Sequence, residues 1–169
     1  MLRTRHGSVA VIRLLVALAL ATIPLSPGQA NAQAPRLFGA TGANGVSAVL
    51  YRIDPNAGAS TAIGPVAVGA TPVSITGLAF HPVTHGLFAV TGSQNSLSGH
   101  LLMIDPNSGA ATDIGSLGIS NTNCGGVAGI VGDITFRADG VLFGAGPCGP
   151  GVKGNLYTIN LTTGTASFA

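Results

Sequence analysis

Two histidines, His81 and His85, are four residues apart, a spacing that can bind a metal ion when both lie on one face of a helix. They stand between two short apolar segments, residues 75–80 and 87–92, whose alternation is typical of strands. A later segment of the same pattern, residues 137–140, contains no histidine. We therefore interpret the histidine segment as a solvated hairpin turn, and we assign no metal ligand.

A glycine-rich stretch at residues 39–45 is similar to the phosphate-binding loop of nucleotide-sugar epimerase-type dehydrogenases. That loop binds pyrophosphate because it opens the helix of a βαβ unit. Here residues 49–53 follow instead, with the alternation of a strand. The sequence therefore predicts no nucleotide site, and it indicates no other cofactor.

One acidic residue is notable for its position. Asp133 takes the place of Gly77 in an otherwise matching apolar segment. If that segment is the innermost strand of its sheet, the carboxylate faces the centre and could contact a ligand or a cation. Acid–base catalysis needs a partner group within hydrogen-bond reach, and the sequence offers no glutamate or histidine near Asp133. Asp133 is thus a weak ligand candidate, and we assign no catalytic residue.

The elements that would position these residues belong to an internal repeat. The segment Leu-Tyr-Arg-Ile-Asp-Pro-Asn-Ala-Gly at residues 50–58 returns in altered form at residues 101–109 and 156–164, with spacings of 51 and 55. Matching segments accompany each copy in the same order. Self-similarity at such a period indicates a repeat architecture. The repeats cover approximately residues 36–66, 67–117 and 118–169.

The second copy predicts four short strands: A at residues 75–80, B at 87–92, C at 101–105 and D at 110–115. The Asp-Pro-Asn-x-Gly sequence between C and D predicts a hairpin turn, because Asp bonds to its own backbone and Gly supplies a positive φ. A calcium loop is excluded because no glutamate is available. The apolar face of strand C is predicted to be core in every copy: Tyr51 with Ile53, Leu102 with Ile104, and Tyr157 with Ile159.

The N-terminus has the order of a secretory signal peptide. Three arginines precede an apolar run at residues 14–23, and Ala30-Asn31-Ala32 provides a small-x-small cleavage site. A membrane anchor is the alternative, but a spanning helix needs about 20 apolar residues. We predict a signal over residues 1–32, a repeat domain over 33–169 without a membrane span, and a secreted, periplasmic or surface location in a bacterium.

Export would place the two cysteines in an oxidising compartment. Cys124 and Cys148 fall in the loops before strand A and between strands B and C of the third copy. In an antiparallel meander these loops emerge on the same side, so we predict a disulfide, and the alternative is two free thiols. A zinc site is excluded because two thiols without a nearby histidine are too few ligands.

The charge of the predicted mature part excludes a polyanion partner. It carries four basic and five acidic side chains, a net charge of −1, and no run of like charge. We therefore expect no nucleic-acid binding. The same part contains no Glu and no Trp, and its Gly, Ala, Thr, Ser and Val favour strands joined by tight turns.

The pattern Leu-Tyr-x-Ile-Asp-Pro-x-x-Gly, accompanied by Gly-Leu-Ala-Phe-x-Pro and Leu-Phe-Ala, resembles exported bacterial β-propeller repeat proteins of unknown function. The resemblance implies an all-β fold of about three four-stranded antiparallel blades. Closed propellers need at least about four blades, so we predict an incomplete, truncated propeller-like array. A small β-sandwich, or another open stack of three meanders, is the alternative fold.

These patterns favour a non-enzymatic exported module that binds a partner, with a protein or glycan as the expected class of ligand. Unpaired strand edges in an open array also predict edge-strand self-association. The alternative is a fragment of a propeller enzyme, of lactonase or lyase type, whose catalytic blades are missing. Propellers serve many unrelated functions, so the fold does not decide between these hypotheses.

Overall fold

The computed structural model describes residues 36–42, 46–92, 97–119, 130–146 and 154–169. Within these ranges the chain forms thirteen strands and no helix. The strands are β1 Leu37–Ala40, β2 Val49–Ile53, β3 Ser60–Pro65, β4 Ala67–Val68, β5 Thr71–Pro72, β6 Ile75–Phe80, β7 Leu87–Thr91, β8 His100–Ile104, β9 Ala110–Ser116, β10 Asp133–Phe136, β11 Leu142–Gly146, β12 Asn155–Ile159 and β13 Ala166–Phe168. The fold is all-β, as predicted.

Eleven of these strands form three antiparallel meanders, and each meander belongs to one copy of the repeat. Blade 1 consists of β1, β2 and β3, blade 2 of β6 to β9, and blade 3 of β10 to β13. Strand A of the second copy was predicted at residues 75–80 and coincides with β6. Strands B and D differ from β7 and β9 by one residue at one end, and strand C is shifted from β8 by one residue. This arrangement is that of an incomplete propeller-like array.

Blade 1 has no strand in position A within the described residues. Its first strand, β1, contacts β6 of blade 2 in the way that β7, the B strand of blade 2, contacts β10 of blade 3. β1 is therefore in the position of a B strand. The edge of β1 that faces away from β2 has no partner strand in the described part of blade 1.

A short hairpin, β4 with β5, was not foreseen. β4 follows blade 1 and pairs in parallel with β9 of blade 2, where Ala67 lies opposite Ala110 and Val68 opposite Ala111. At the next blade the chain makes one corresponding bond, from Ala166 N–H to the Leu117 carbonyl, at 2.9 Å. The chain that leaves strand D of one blade thus bonds to strand D of the next.

The predicted turn between strands C and D is present three times with the same hydrogen bonds. The first side chain of the turn accepts the N–H two residues later, at 2.8 to 2.9 Å: Asp54 from Asn56, Asp105 from Asn107, and Asn160 from Thr162. The turn glycine has a φ of 66° at Gly58, 81° at Gly109 and 78° at Gly164. Any other residue there would adopt a strained left-handed conformation.

The core lies between the blades. We call the side of a blade that packs on the preceding blade its front face, and the side that packs on the following blade its back face. One apolar cluster joins the back face of blade 1 to the front face of blade 2, and it includes Leu50, Leu87 and Leu102. A second joins blade 2 to blade 3 and includes Leu101 and Tyr157. Burying such faces against each other is how repeat architectures are stabilised.

Tyr51 and Ile53 depart from the core prediction. Both are only half-buried, whereas Leu102, Ile104, Tyr157 and Ile159 are buried. These positions lie on the front faces, and the described residues contain no blade in front of blade 1.

The described part of the chain has no helix that is long and apolar enough to span a membrane.

Candidate functional site

The inner strands of blades 2 and 3 pack backbone against backbone where Asp133 lies. A Cβ on Gly77 would lie 2.9 Å from the Cα of Asp133 and 2.8 Å from the nitrogen of Ile134. Thr76 Oγ1 donates to the Val131 carbonyl across the same contact, at 2.7 Å. The Asp133 side chain is exposed, and its Oδ1 accepts the N–H of Ile134 at 2.8 Å. A ligand contact at Asp133 stays a prediction.

The histidine segment forms the predicted hairpin turn between β6 and β7. Nδ1 of His81 accepts the N–H groups of Val83 and Thr84, both at 3.1 Å. The ring lies 4.9 Å from that of Phe136, so it also packs blade 2 on blade 3. His85 has a φ of 57°. The two histidines therefore serve the turn and the blade contact, and Nδ1 of His81 is occupied as an acceptor.

The glycine-rich stretch begins in β1, which contains Gly39 and Ala40, and the antiparallel strand β2 follows it. Thr41 N–H donates to the Val49 carbonyl at 3.1 Å, and Val49 N–H donates to Thr41 Oγ1 at 3.2 Å. Residues 43–45 lie outside the described part of the chain. Since a strand follows and not a helix, the geometry of a dinucleotide-binding loop is not formed here.

Several sequence predictions fall on residues that the structure does not describe. Cys124 and Cys148 lie outside the described ranges, and so does the predicted signal over residues 1–32. The disulfide, export and location therefore stay predictions.

One ionisable pair was missed by the sequence reasoning. Nδ1 of His100, at the start of β8, lies 3.0 Å and 3.2 Å from the two carboxylate oxygens of Asp113 on β9, and both side chains are partly buried. The buried Thr91 hydroxyl accepts His100 N–H at 2.8 Å and donates to the Leu97 carbonyl. The pair orients the imidazole, but the described residues bring no serine or cysteine side chain into hydrogen-bond contact with it. The sequence did predict that strands C and D pair in antiparallel fashion, but it did not predict the register that brings His100 close to Asp113.

Two acids with a lowered pKa, Asp105 and Asp139, stabilise turns. The N–H of Asn107 and the hydroxyl of Ser108 lower the pKa of Asp105, because both donate to its carboxylate. The guanidinium of Arg137 lowers the pKa of Asp139 to about 2 through two hydrogen bonds. Hydrogen bonds to the ionised form have this direction of effect.

The contacts between blades repeat with nearly the same geometry. The Phe38 ring of blade 1 meets the Phe80 ring of blade 2 at 5.3 Å and 64°, and Phe88 of blade 2 meets Phe136 of blade 3 at 5.4 Å and 66°. Such edge-to-face pairs contribute about 0.5–1.5 kcal/mol beyond their buried area. Each blade therefore docks on the one before it in one defined way.

A second repeated contact joins strand D of one blade to the C–D turn of the next. A Cβ on Gly109 in the turn of blade 2 would lie 2.8 Å from the Pro65 carbonyl oxygen at the end of strand D in blade 1. A Cβ on Gly164, in blade 3, would clash with the carbonyl oxygen of Gly115 in blade 2. By contrast, a Cβ on Gly58 in blade 1 would have no atom within 4 Å.

The front face of blade 1 and the back face of blade 3, which we call the terminal faces, expose leucine positions that are buried on the faces between blades. On the front faces, Leu37 of blade 1 is 48% exposed, while its repeat equivalents Leu87 and Leu142 are 1% and 0% exposed. On the back faces, Leu156 of blade 3 is 51% exposed, while its equivalents Leu50 and Leu101 are fully buried. We take these faces as the candidate functional surface, because each exposes a leucine whose equivalents in the other described blades are buried.

No family model matches this chain. No curated protein matches it either. Among solved structures it is similar to a gluconolactonase from Xanthomonas campestris, with 16% sequence identity and a TM-score of 0.44. That alignment covers 71% of this chain and 33% of the solved chain, so this chain spans about a third of that structure.

Proposed function

We propose that this chain is an exported, non-enzymatic, propeller-like module that binds another protein through the open faces of its first and last blades. The observation that carries the proposal is the exposure of Leu37 and Leu156, at positions where every other copy of the repeat is buried. Among the described residues, the front and back faces are each buried twice and exposed once, which supports a binding role for the exposed ones.

The energy available at these faces is moderate. Burying a whole leucine side chain contributes about 1.5–3 kcal/mol, so covering the exposed half of Leu37 and of Leu156 contributes about 2 kcal/mol together. Tyr51 and Ile53 add to the front face, since both are half-buried. Phe143 adds to the back face in the same way.

The roles of the ionisable side chains support binding over catalysis. Asp54 and Asp105 accept hydrogen bonds within C–D turns. Asp139 pairs with the arginine of its own turn, and Asp113 pairs with His100 inside a sheet. Each of these carboxylates therefore has a structural task. A general acid or base must instead reach a substrate proton.

The basic, apolar and small-residue order of residues 1–32 supports export.

Site-specific photocrosslinking tests this function in cells that produce the chain. A benzophenone amino acid replaces Leu37 or Leu156, and replaces Met103 as the matched control, because Met103 is 47% exposed but lies on no terminal face. We expect protein adducts from the two end positions and none from the control. The absence of adducts from both end positions would contradict the proposal.

A further inference from the structure

We infer that the partner is a second copy of this chain, and that the back face of blade 3 in one copy docks on the front face of blade 1 in the other. This inference rests on the proposed function, because it identifies the protein that the open faces bind. It differs from pairing at strand edges, since the contact joins side-chain faces and not free backbone groups.

The front face of blade 1 already has a docked counterpart within the chain. Its B strand reads Leu-Phe-Gly-Ala from Leu37, and blade 3 has the same four residues from Leu142. Its C strand carries Tyr51 and Ile53 where blade 3 carries Tyr157 and Ile159. In blade 3 these side chains are buried against the back face of blade 2. The free front face therefore consists of residue types that dock on a back face elsewhere in the molecule.

The back face of blade 3 likewise repeats a face that already accepts a blade. Leu156 is the equivalent of Leu50, which is fully buried between blades 1 and 2. Phe143 is the equivalent of Phe38, which packs on blade 2 as well. The donor surface and the acceptor surface are thus both present on one chain, at its two ends.

One internal contact cannot form in this assembly. Phe38 and Phe88 each meet a phenylalanine at the end of strand A in the next blade. The described part of blade 1 has no strand A, so it offers no such ring to Phe143. The ring of Phe143 instead has the guanidinium of Arg137 over it, with Cζ 5.5 Å from the ring centroid. The docking contact therefore depends mainly on Leu37 and Leu156.

A contact between two different faces is heterologous. Such contacts produce closed rings when the rotation between copies closes, and open filaments when it does not. Both outcomes have one property in common, which is that every copy uses its front face for one neighbour and its back face for another. This property separates head-to-tail docking from a symmetric pairing of like faces, and it can be tested by mixing variants.

The experiment measures the mass of the purified chain by light scattering and sedimentation. We expect the unmodified chain to assemble, and self-association of the variants Leu37→Asp and Leu156→Asp to be weakened by about tenfold or more, which corresponds to about 1.4 kcal/mol. Each variant is then monomeric at concentrations where the unmodified chain assembles. Mixing these two variants is expected to restore a complex of two chains, because one front face and one back face remain intact. The control Met103→Asp is expected to assemble like the unmodified chain.

Circular dichroism of each variant checks folding, and both substitutions fall on leucines that are about half exposed. A monomeric unmodified chain overturns the inference. So does dimerisation of only one of the two variants, which indicates pairing of like faces, or assembly of both, which indicates strand edges or another surface. If the unmodified chain is monomeric while photocrosslinks from the end positions join it to a different protein, the proposed function stands and this inference fails.

Discussion

The repeated contact between strand D and the next C–D turn predicts that one glycine is far less replaceable than its twin. Gly58 and Gly109 end turns of nearly the same sequence, Asp-Pro-Asn-Ala-Gly and Asp-Pro-Asn-Ser-Gly. Both have a positive φ, of 66° and 81°. Only Gly109 is covered by a neighbouring blade. The substitutions Gly58→Ala and Gly109→Ala therefore differ in one physical term.

The magnitude follows from the surroundings of the added methyl group. Placing alanine in the left-handed region costs about 1–2 kcal/mol at either glycine. At Gly109 the Cβ would also lie 2.8 Å from the Pro65 oxygen and 3.1 Å from the Gly64 oxygen. Both are backbone atoms of a strand, so they cannot rotate away, and overpacking of this kind costs a further 1–3 kcal/mol, approximately. We expect Gly109→Ala to be less stable than Gly58→Ala by about 2 kcal/mol.

Urea unfolding followed by far-UV circular dichroism measures the difference, since the chain has no tryptophan to report by fluorescence. With a slope of about 1–3 kcal/mol per molar urea, the midpoints of the two variants should differ by about 1 M. The unfolding is measured at a protein concentration where light scattering gives the mass of a single chain. Association between copies then does not contribute.

Equal midpoints for the two variants would refute the reasoning, because the strain of a positive φ would then be the whole effect. The blade contact at Gly109 would not contribute to stability. A larger loss of stability in Gly58→Ala than in Gly109→Ala would also contradict the prediction, since a Cβ on Gly58 has no atom within 4 Å.

Four further predictions follow from single residues. His85 has a φ of 57°, a region that a β-branched residue adopts less readily than histidine, so His85→Val should lower the stability in urea unfolding while His85→Gly should not. The pKa of Asp139 is lowered to about 2, so its contribution to stability is present above about pH 4 and is lost as the pH falls toward 2; Asp139→Asn should reduce the acid dependence of unfolding over this range. Mass spectrometry of the exported chain should find Gln33 at the N-terminus, and retention of the first 32 residues would contradict the signal peptide. Thiol titration without reductant should find Cys124 and Cys148 unreactive, and two reactive thiols would exclude the disulfide.

The strands could be predicted from the sequence because their signals are local. Alternation over residues 75–80 identified strand A, and the Asp-Pro-Asn-x-Gly turn fixed where strand C ends and strand D begins. Repetition then transferred each assignment to the other copies, so a weak signal in one copy was supported by two more.

The His100–Asp113 pair was not foreseen because its geometry depends on the register of two strands. Counting back from the turn pairs Leu102 with Asp113, as the structure does, but a bulge then lies between Leu101 and Leu102 and shifts the next pairs. The same bulge lies between Leu50 and Tyr51 in blade 1. Bulges redirect side chains without a strong sequence signal, so the approach of an imidazole to a carboxylate at this point is a result of tertiary structure.

The candidate surface could not be predicted from the alternation of residues within a strand. Within one strand, a period of two separates the faces of a sheet, but it does not say which face meets which neighbour. Gly64 lies in strand D of blade 1 and Gly109 in the C–D turn of blade 2, 45 residues apart in the sequence. Only the stacking of the blades brings them together and shows that the same contact recurs between Gly115 and Gly164. Because the contact between blades repeats, the exposed Leu156 can be compared with its buried equivalents Leu50 and Leu101. The residues that bury those equivalents indicate the kind of surface that would cover Leu156.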